Sequence, residues 1–181
     1  MCLHGAAMTR LVYSLWLVPP RSMYQNLSTL IQNLAGEFGA LPFEPHVTLQ
    51  WATLSSESDA IDKARQIAKA IPPLTITLSE IGYEASYYRA LYYAVDLTDA
   101  LSSAYEIATA LFCGAEGLYR PHLSLLYGRY SAGRKAATIK KCRPKSGGSF
   151  RVTHLHLFRT TGPVKTWMRV TGFPLFRRSK D

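Results

Sequence analysis

Cysteine is scarce in this chain. Its three positions, Cys2, Cys113 and Cys142, show neither the even number of a disulfide framework nor the close spacing of a zinc site. A disulfide-stabilised secreted domain is therefore excluded as a class, and a reducing, cytoplasmic location is expected. A glycine-rich phosphate loop is also missing, so no dinucleotide-binding fold is indicated.

Long hydrophobic runs are missing as well. The first apolar stretch, residues 11–18, is interrupted by Ser14, ends at Pro19 and Pro20, and is too short to cross a bilayer. With 48% apolar residues in 181, the composition suits one compact domain. We expect a single monomeric domain over residues 1–181, with an ordered core of about 10–175 and no membrane association.

Acidic residues are few and unevenly placed. The chain has 12 Asp and Glu against 21 Lys and Arg, and residues 129–181 hold 14 of the basic residues but one acidic residue. Such segregated positive charge favours an anionic partner, for example a nucleotide, RNA or an anionic membrane surface. A solvated basic face is the equally simple alternative.

Hydrophobic periodicity predicts strands interspersed with helices. Alternating or β-branched runs predict strands at 11–17, 46–51, 74–83, 89–96, 122–127, 150–159 and 164–171. Apolar stripes at helical spacing predict helices capped by Ser22, Ser56 and Thr98, and a fourth over 132–141. Because several strands are joined as hairpins, the pattern indicates an α+β fold with antiparallel sheets.

One short pattern occurs twice. Residues 45–49 and 121–125 both read Pro, His, an apolar residue, a hydroxyl residue and Leu, and their histidines are 76 positions apart. A structural unit used twice would place the two segments on facing strands. The predicted architecture is therefore bilobal: a pseudo-two-fold pair of antiparallel sheets with flanking helices and a central cleft.

The repeated pattern indicates acid–base chemistry on a phosphate. Alternate residues of a strand point to the same face, so His46 lies beside Thr48 and His122 beside Ser124. One imidazole can take a proton from water while the other protonates the leaving oxygen, and the hydroxyls can bind the charged oxygens. This scheme needs neither a metal nor a cofactor.

Other residues allow two interpretations each. Trp16 is a core tryptophan or a ring that stacks on a base. The tyrosines between 83 and 93 are mostly structural, although one could line the cleft. His154 and His156 share a strand face without a third ligand, which favours a structural or surface role over a metal site.

The sequence resembles the two-histidine phosphoesterase superfamily, and within it the plant and yeast type of cyclic phosphodiesterase. The resemblance rests on residues 12–19, 43–48, 120–127 and 160–163, together with Trp167. It implies a bilobal α+β fold that hydrolyses cyclic phosphates such as ADP-ribose cyclic phosphate or nucleoside 2′,3′-cyclic phosphates. The roles it implies are acid and base for His46 and His122, phosphate binding for Thr48 and Ser124, and pocket lining for Trp16 and Tyr127.

Three points stay open at this stage. The base and the acid are not assigned between the two histidines. An RNA 2′,5′ end-processing phosphoesterase or ligase would use the same pair, with RNA ends held by the basic residues. A non-catalytic RNA- or nucleotide-binding module is the alternative from another class, although it would not need both imidazoles.

Overall fold

The computed structural model describes residues 11–114, 117–142 and 147–176; Cys2 and residue 10 lie outside these ranges. The described residues form eight strands and four α-helices, which confirms the α+β class. The strands are β1 Leu11–Leu17, β2 Val47–Leu54, β3 Leu74–Gly82, β4 Leu91–Val95, β5 His122–Leu126, β6 Gly148–Val152, β7 His154–Arg159 and β8 Met168–Pro174. The helices are α1 Arg21–Phe38, α2 Glu57–Ala70, α3 Asp99–Phe112 and α4 Ala132–Cys142.

All eight strands belong to one antiparallel sheet, in the order β6-β3-β4-β5-β2-β1-β7-β8. The sequence predicts two sheets, and the structure differs because β2 and β5 join at the pair Val47 and Leu123. Four strands lie on each side of that junction. The two repeated patterns start the two strands that meet there, so the junction brings them together.

The predicted strand 150–159 is two strands that lie in different parts of the sheet. β6 pairs with β3 at one edge, whereas β7 pairs with β1 and β8 near the other. Thr153 alone separates them. Because one residue spans at most about 3.6 Å, the two ends of the sheet must approach each other. The sheet is therefore curled.

Local signals fix most helix ends. Ser56 accepts a hydrogen bond from the Asp59 amide and Thr98 accepts one from the Leu101 amide, as predicted for N-caps. α1 begins one residue before the predicted cap Ser22, after Pro20, which makes no side-chain capping bond. It ends at Gly39, whose φ of 67° suits a residue without a side chain.

The helices cover one face of the sheet and leave the other for a site. Alternate strand residues such as Leu15, Leu17, Leu123 and Leu125 are buried in the core with the apolar faces of α1, α2 and α3. Their neighbours, at even positions, point to the opposite face. Among the described helices, none combines the length and apolar character that crossing a membrane requires.

Candidate active site

The six predicted site residues lie together. One cavity of about 490 Å³, here called the histidine cavity, is lined by Trp16, His46, Thr48, His122, Ser124 and Tyr127. β1, β2 and β5 are neighbours in the sheet, and Trp16 pairs directly with Thr48. Strand alternation turns Trp16, Thr48 and Ser124 toward the same cavity, while His46 and Tyr127 lie just outside the ends of β2 and β5.

The two histidines are held in the same way. His46 Nδ1 lies 2.6 Å from the Glu44 carbonyl oxygen, and His122 Nδ1 lies 3.0 Å from the Arg120 carbonyl oxygen. A carbonyl can only accept, so each Nδ1 carries the proton in the neutral ring. In both motifs the partner lies two residues earlier, and in both the remaining nitrogen, Nε2, is left for chemistry.

The surroundings of the two rings differ. His46 is 5% exposed, and burial lowers its pKa to about 3 against a backbone hydrogen bond that raises it. His122 is half-buried, and burial lowers its pKa as well. His46 is therefore neutral at physiological pH, ready to accept a proton at Nε2.

Charged side chains lie near His122. The Glu84 carboxylate lies 2.8 Å from the Arg120 guanidinium and 3.0 Å from that of Arg89. Glu84 raises the pKa of His122, while the two arginines lower it, after the larger effect of burial. The carboxylate thus offsets part of the positive charge near this ring and makes its protonated form easier to reach.

The two hydroxyls are in different states. The Ser124 hydroxyl donates to the Tyr88 carbonyl oxygen at 2.7 Å. The Thr48 side chain has no hydrogen-bond partner among the described residues, while its carbonyl accepts from the Tyr119 hydroxyl. Thr48 can therefore donate to a bound phosphate at once, whereas Ser124 must first leave Tyr88.

Trp16 does not offer a free ring face. The His46 ring stacks on it at a centroid distance of 3.5 Å and the Phe158 ring at 3.7 Å. Its indole N–H donates to the Ser14 hydroxyl, and 2% of the residue is exposed. Of the two interpretations of Trp16, this packing favours the core tryptophan. Its ring supports the His46 ring on one face, and β7 brings Phe158 against the other.

Exposed aromatic faces come from other residues, among them Trp51, which is 49% exposed and lines the histidine cavity. Tyr88 is 50% exposed and lies 6.0 Å from the Trp167 ring, and both line the histidine cavity. Trp167 is held by its N–H, which donates to the Gly162 carbonyl. Tyr127 is 5% exposed and stacks on Phe43, so it forms a wall of the cavity. The tyrosine cluster at 83–93 was the signal for Tyr88, but nothing in it singled out that tyrosine.

A metal site is not evident in the described part of the chain. Within residues 11–114, 117–142 and 147–176, no group of three or more His, Cys, Asp or Glu side chains is placed to hold an ion. The polar groups of the histidine cavity are imidazoles and hydroxyls, which suit proton transfer and phosphate binding.

Comparison with known proteins places this site in a family. The family model described as cyclic phosphodiesterase-like protein matches residues 11–173. The cyclic phosphodiesterase of Arabidopsis thaliana is 26% identical over 162 residues, which cover 86% of this chain and 88% of the relative. The 2′,3′-cyclic-nucleotide 3′-phosphodiesterase of Yarrowia lipolytica is 33% identical over 116 residues, covering 60% of this chain and 51% of the relative.

Solved structures share the fold. Escherichia coli LigT complexed with 3′-AMP aligns with a TM-score of 0.64 and 13% identity, over 93% of this chain and 99% of LigT. The TT0787 protein of Thermus thermophilus aligns with a TM-score of 0.64 and 14% identity, over 91% of this chain and 98% of that protein.

Fold, paired histidine motifs and family match together define a two-histidine phosphoesterase. More narrowly, the chain belongs to the cyclic phosphodiesterase-like family, and it is a phosphodiesterase.

Proposed function

We propose that this enzyme hydrolyses a cyclic phosphodiester, either ADP-ribose cyclic phosphate or a nucleoside 2′,3′-cyclic phosphate, to a phosphomonoester without a metal. His46 and His122 are the acid–base pair, and Thr48 and Ser124 bind the phosphate oxygens. The names of the Arabidopsis and Yarrowia relatives support a cyclic phosphate as the substrate. The enzyme acts as a cytoplasmic monomer whose two sheet halves, related by an approximate two-fold axis, each supply one motif.

One observation carries the proposal. Both rings donate their Nδ1 proton to the carbonyl two residues earlier, which leaves two Nε2 atoms on neighbouring strands of the same cavity. In-line displacement at phosphorus needs a proton acceptor on one side and a proton donor on the other. A binding module has no need for two rings fixed in this matched way.

The different burial of the rings supports different roles for them. His46 is the base, because desolvation keeps it neutral and its Nε2 takes a proton from the attacking water. His122 is the acid, because it is less buried than His46 and its protonated form is therefore desolvated less. As the P–O bond of the ring breaks, His122 protonates the leaving oxygen, and Thr48 and Ser124 donate to the oxygens that gain charge.

Replacing the histidines tests this mechanism. His46→Ala and His122→Ala should each lower kcat by about 100-fold or more on the cyclic phosphates, with circular dichroism unchanged. The double variant should be far less than multiplicatively worse, because the rings act on one transition state. Excess EDTA should leave wild-type activity unchanged. Near wild-type kcat in either folded single variant would overturn the proposal.

RNA end-processing is the second candidate. The positive charge of residues 129–181 favours a polynucleotide partner, and the same two histidines would act on its terminal phosphate. An assay with the four 2′,3′-cyclic mononucleotides, ADP-ribose cyclic phosphate and a cyclic-phosphate-ended RNA distinguishes the two by which substrate has the highest kcat/KM.

A further inference from the structure

A second cavity lies on the same face of the sheet as the histidine cavity. It has a volume of about 530 Å³ and is lined by Arg21, Arg151, His154, His156 and Arg169, with Tyr24 and Glu44 at its side. We call it the arginine cavity. His156 pairs in register with Trp16, so the two cavities are neighbours on one face, separated by the stacked rings of Trp16 and Phe158.

The charges in the arginine cavity are unbalanced. Three guanidinium groups face one carboxylate, that of Glu44. Among the described residues none of Arg21, Arg151 and Arg169 forms an ion pair, and Glu44 interacts with the Tyr24 hydroxyl, whose pKa is raised by burial and then by this carboxylate. Because positive charges outnumber negative charges in this cavity, it attracts an anion.

One further feature suits an anion. The N-terminus of α1 enters the cavity at Arg21 with no side-chain cap and no acidic residue in its first turn. Its free backbone N–H groups add donors of the kind that bind phosphate.

We propose that the arginine cavity is a second binding site, distinct from the histidine cavity, for a phosphate group. The planar guanidinium groups of Arg21, Arg151 and Arg169 present paired N–H donors that match phosphate oxygens. The phosphate is either free, as inorganic phosphate or diphosphate, or it is a second phosphate of the substrate whose cyclic phosphate lies between His46 and His122. The second alternative, a phosphate of the substrate, rests on the proposed function.

Titration with diphosphate tests for the site. Imidazole proton signals followed by NMR should shift for His154 and His156 as diphosphate is added, with inorganic phosphate as a weaker ligand. Arg21→Gln and Arg151→Gln should each weaken diphosphate binding by about tenfold, because each removes a charged hydrogen-bonding group. Arg129→Gln, an exposed arginine outside both cavities, is the matched control and should bind as wild type does. Shifts confined to His46 and His122, or unchanged affinity in both cavity variants, overturn the proposal.

Kinetics then separate the two sources of phosphate. If the site holds the substrate's own phosphate, Arg151→Gln raises KM for a cyclic-phosphate-ended dinucleotide and not for the 2′,3′-cyclic mononucleotide. If it holds a free anion, both KM values stay unchanged while diphosphate binding weakens. An enzyme that hydrolysed neither substrate would refute the proposed function alone, because the diphosphate titration does not depend on turnover.

Discussion

The indole ring of Trp16 packs between His46 of the histidine cavity and Phe158 of strand β7. Its N–H is bonded to Ser14. A ring covered on both faces can hold its neighbour in place but cannot stack on a ligand. Its contribution to catalysis is therefore expected in the orientation of His46.

Trp16→Ala should accordingly lower kcat more than it raises KM. A misplaced base costs roughly tenfold to 100-fold in rate, while substrate contacts are kept. Trp16→Phe should recover most of kcat, since a phenyl ring still supports His46. Tyr88→Ala and Trp167→Ala should do the reverse and raise KM roughly five- to 100-fold, the cost of losing a base-stacking ring. Steady-state kinetics on one cyclic nucleotide measure these effects. If Trp16→Ala changes KM alone, Trp16 does not orient His46.

The pH dependence of kcat/KM should be a bell with its maximum on the acidic side of pH 6.5. In the proposed mechanism, activity requires neutral His46 and protonated His122. The pKa of His46 is about 3, so the acidic limb lies well below that of an ordinary histidine. Burial also lowers the pKa of His122, so activity declines as pH rises through a value below 6.5.

Glu84→Gln should move the alkaline limb of this bell further to lower pH, because the carboxylate favours protonated His122. Glu80→Gln is the matched control, because this carboxylate is not among the groups that shift the pKa of His122. If the alkaline limb of Glu84→Gln coincides with that of the wild type, Glu84 does not influence the pKa of His122.

At the residue scale, the sequence predicted the residues of the repeated pattern. It did not predict the contacts that depend on pairing between strands far apart in the chain. The two histidines and the two hydroxyls follow from a doubled pattern with strand alternation. The covered faces of Trp16 depend on Phe158, which is 142 positions away and arrives through the register of β1 with β7. The Ser124 bond to the Tyr88 carbonyl depends on how the Tyr87–Arg89 turn lies against β5.

Among the helices, α2 has the clearest sequence signal at its start. The Ser56 hydroxyl accepts a bond from the Asp59 amide at 3.1 Å. Ser56→Ala should therefore lower the free energy of unfolding by about 1 kcal/mol. Ser58→Ala, two positions later in the first turn, removes a hydroxyl without a cap and should leave stability nearly unchanged. Urea denaturation curves that coincide for the two variants would contradict the capping role.

The predicted strand 150–159 shows where element prediction fails and what could have corrected it. Phe150 and Val152 are buried, and burial then resumes at Leu155 and Leu157, one position out of phase. A continuous strand keeps its period of two, so the phase change at Thr153 marks a break. β-branched and apolar residues continue through that break, which hid it. The positions of β6 and β7 in different parts of the sheet depend on strand pairing and cannot be predicted from the local sequence.

For the whole molecule, the buried histidines predict a loss of stability in mild acid. His46 has its pKa lowered to about 3 and His156 to about 4, both chiefly by burial. In the unfolded chain these rings titrate near 6.5, so below that pH the unfolded state binds protons that the folded state does not. Stability is full above pH 6.5 and falls as pH decreases toward the lowered values.

At pH 5 the contribution of His46 to this loss should be about 2 kcal/mol, from about 1.5 pH units below 6.5. Urea midpoints at pH 7 and pH 5 measure it. His46→Gln should show a smaller difference between the two pH values, while His154→Gln should behave as wild type does. Equal midpoints for wild type at both pH values would show that the folded rings accept protons freely.

The position of β1 in the sheet also sets the order in which a newly made chain can become an enzyme. Among the eight strands β1 is made first, yet its partner β7 follows some 140 residues later, as the bond between the Val12 amide and Thr161, 149 positions apart, illustrates. Until then one edge of β1 stays open, and one face of Trp16 stays bare beside the first histidine. Trp167, from the last strand connection, completes the cavity wall later still. Helices and hairpins can form during translation, but the cavity is complete only after β7 and Trp167 have been made.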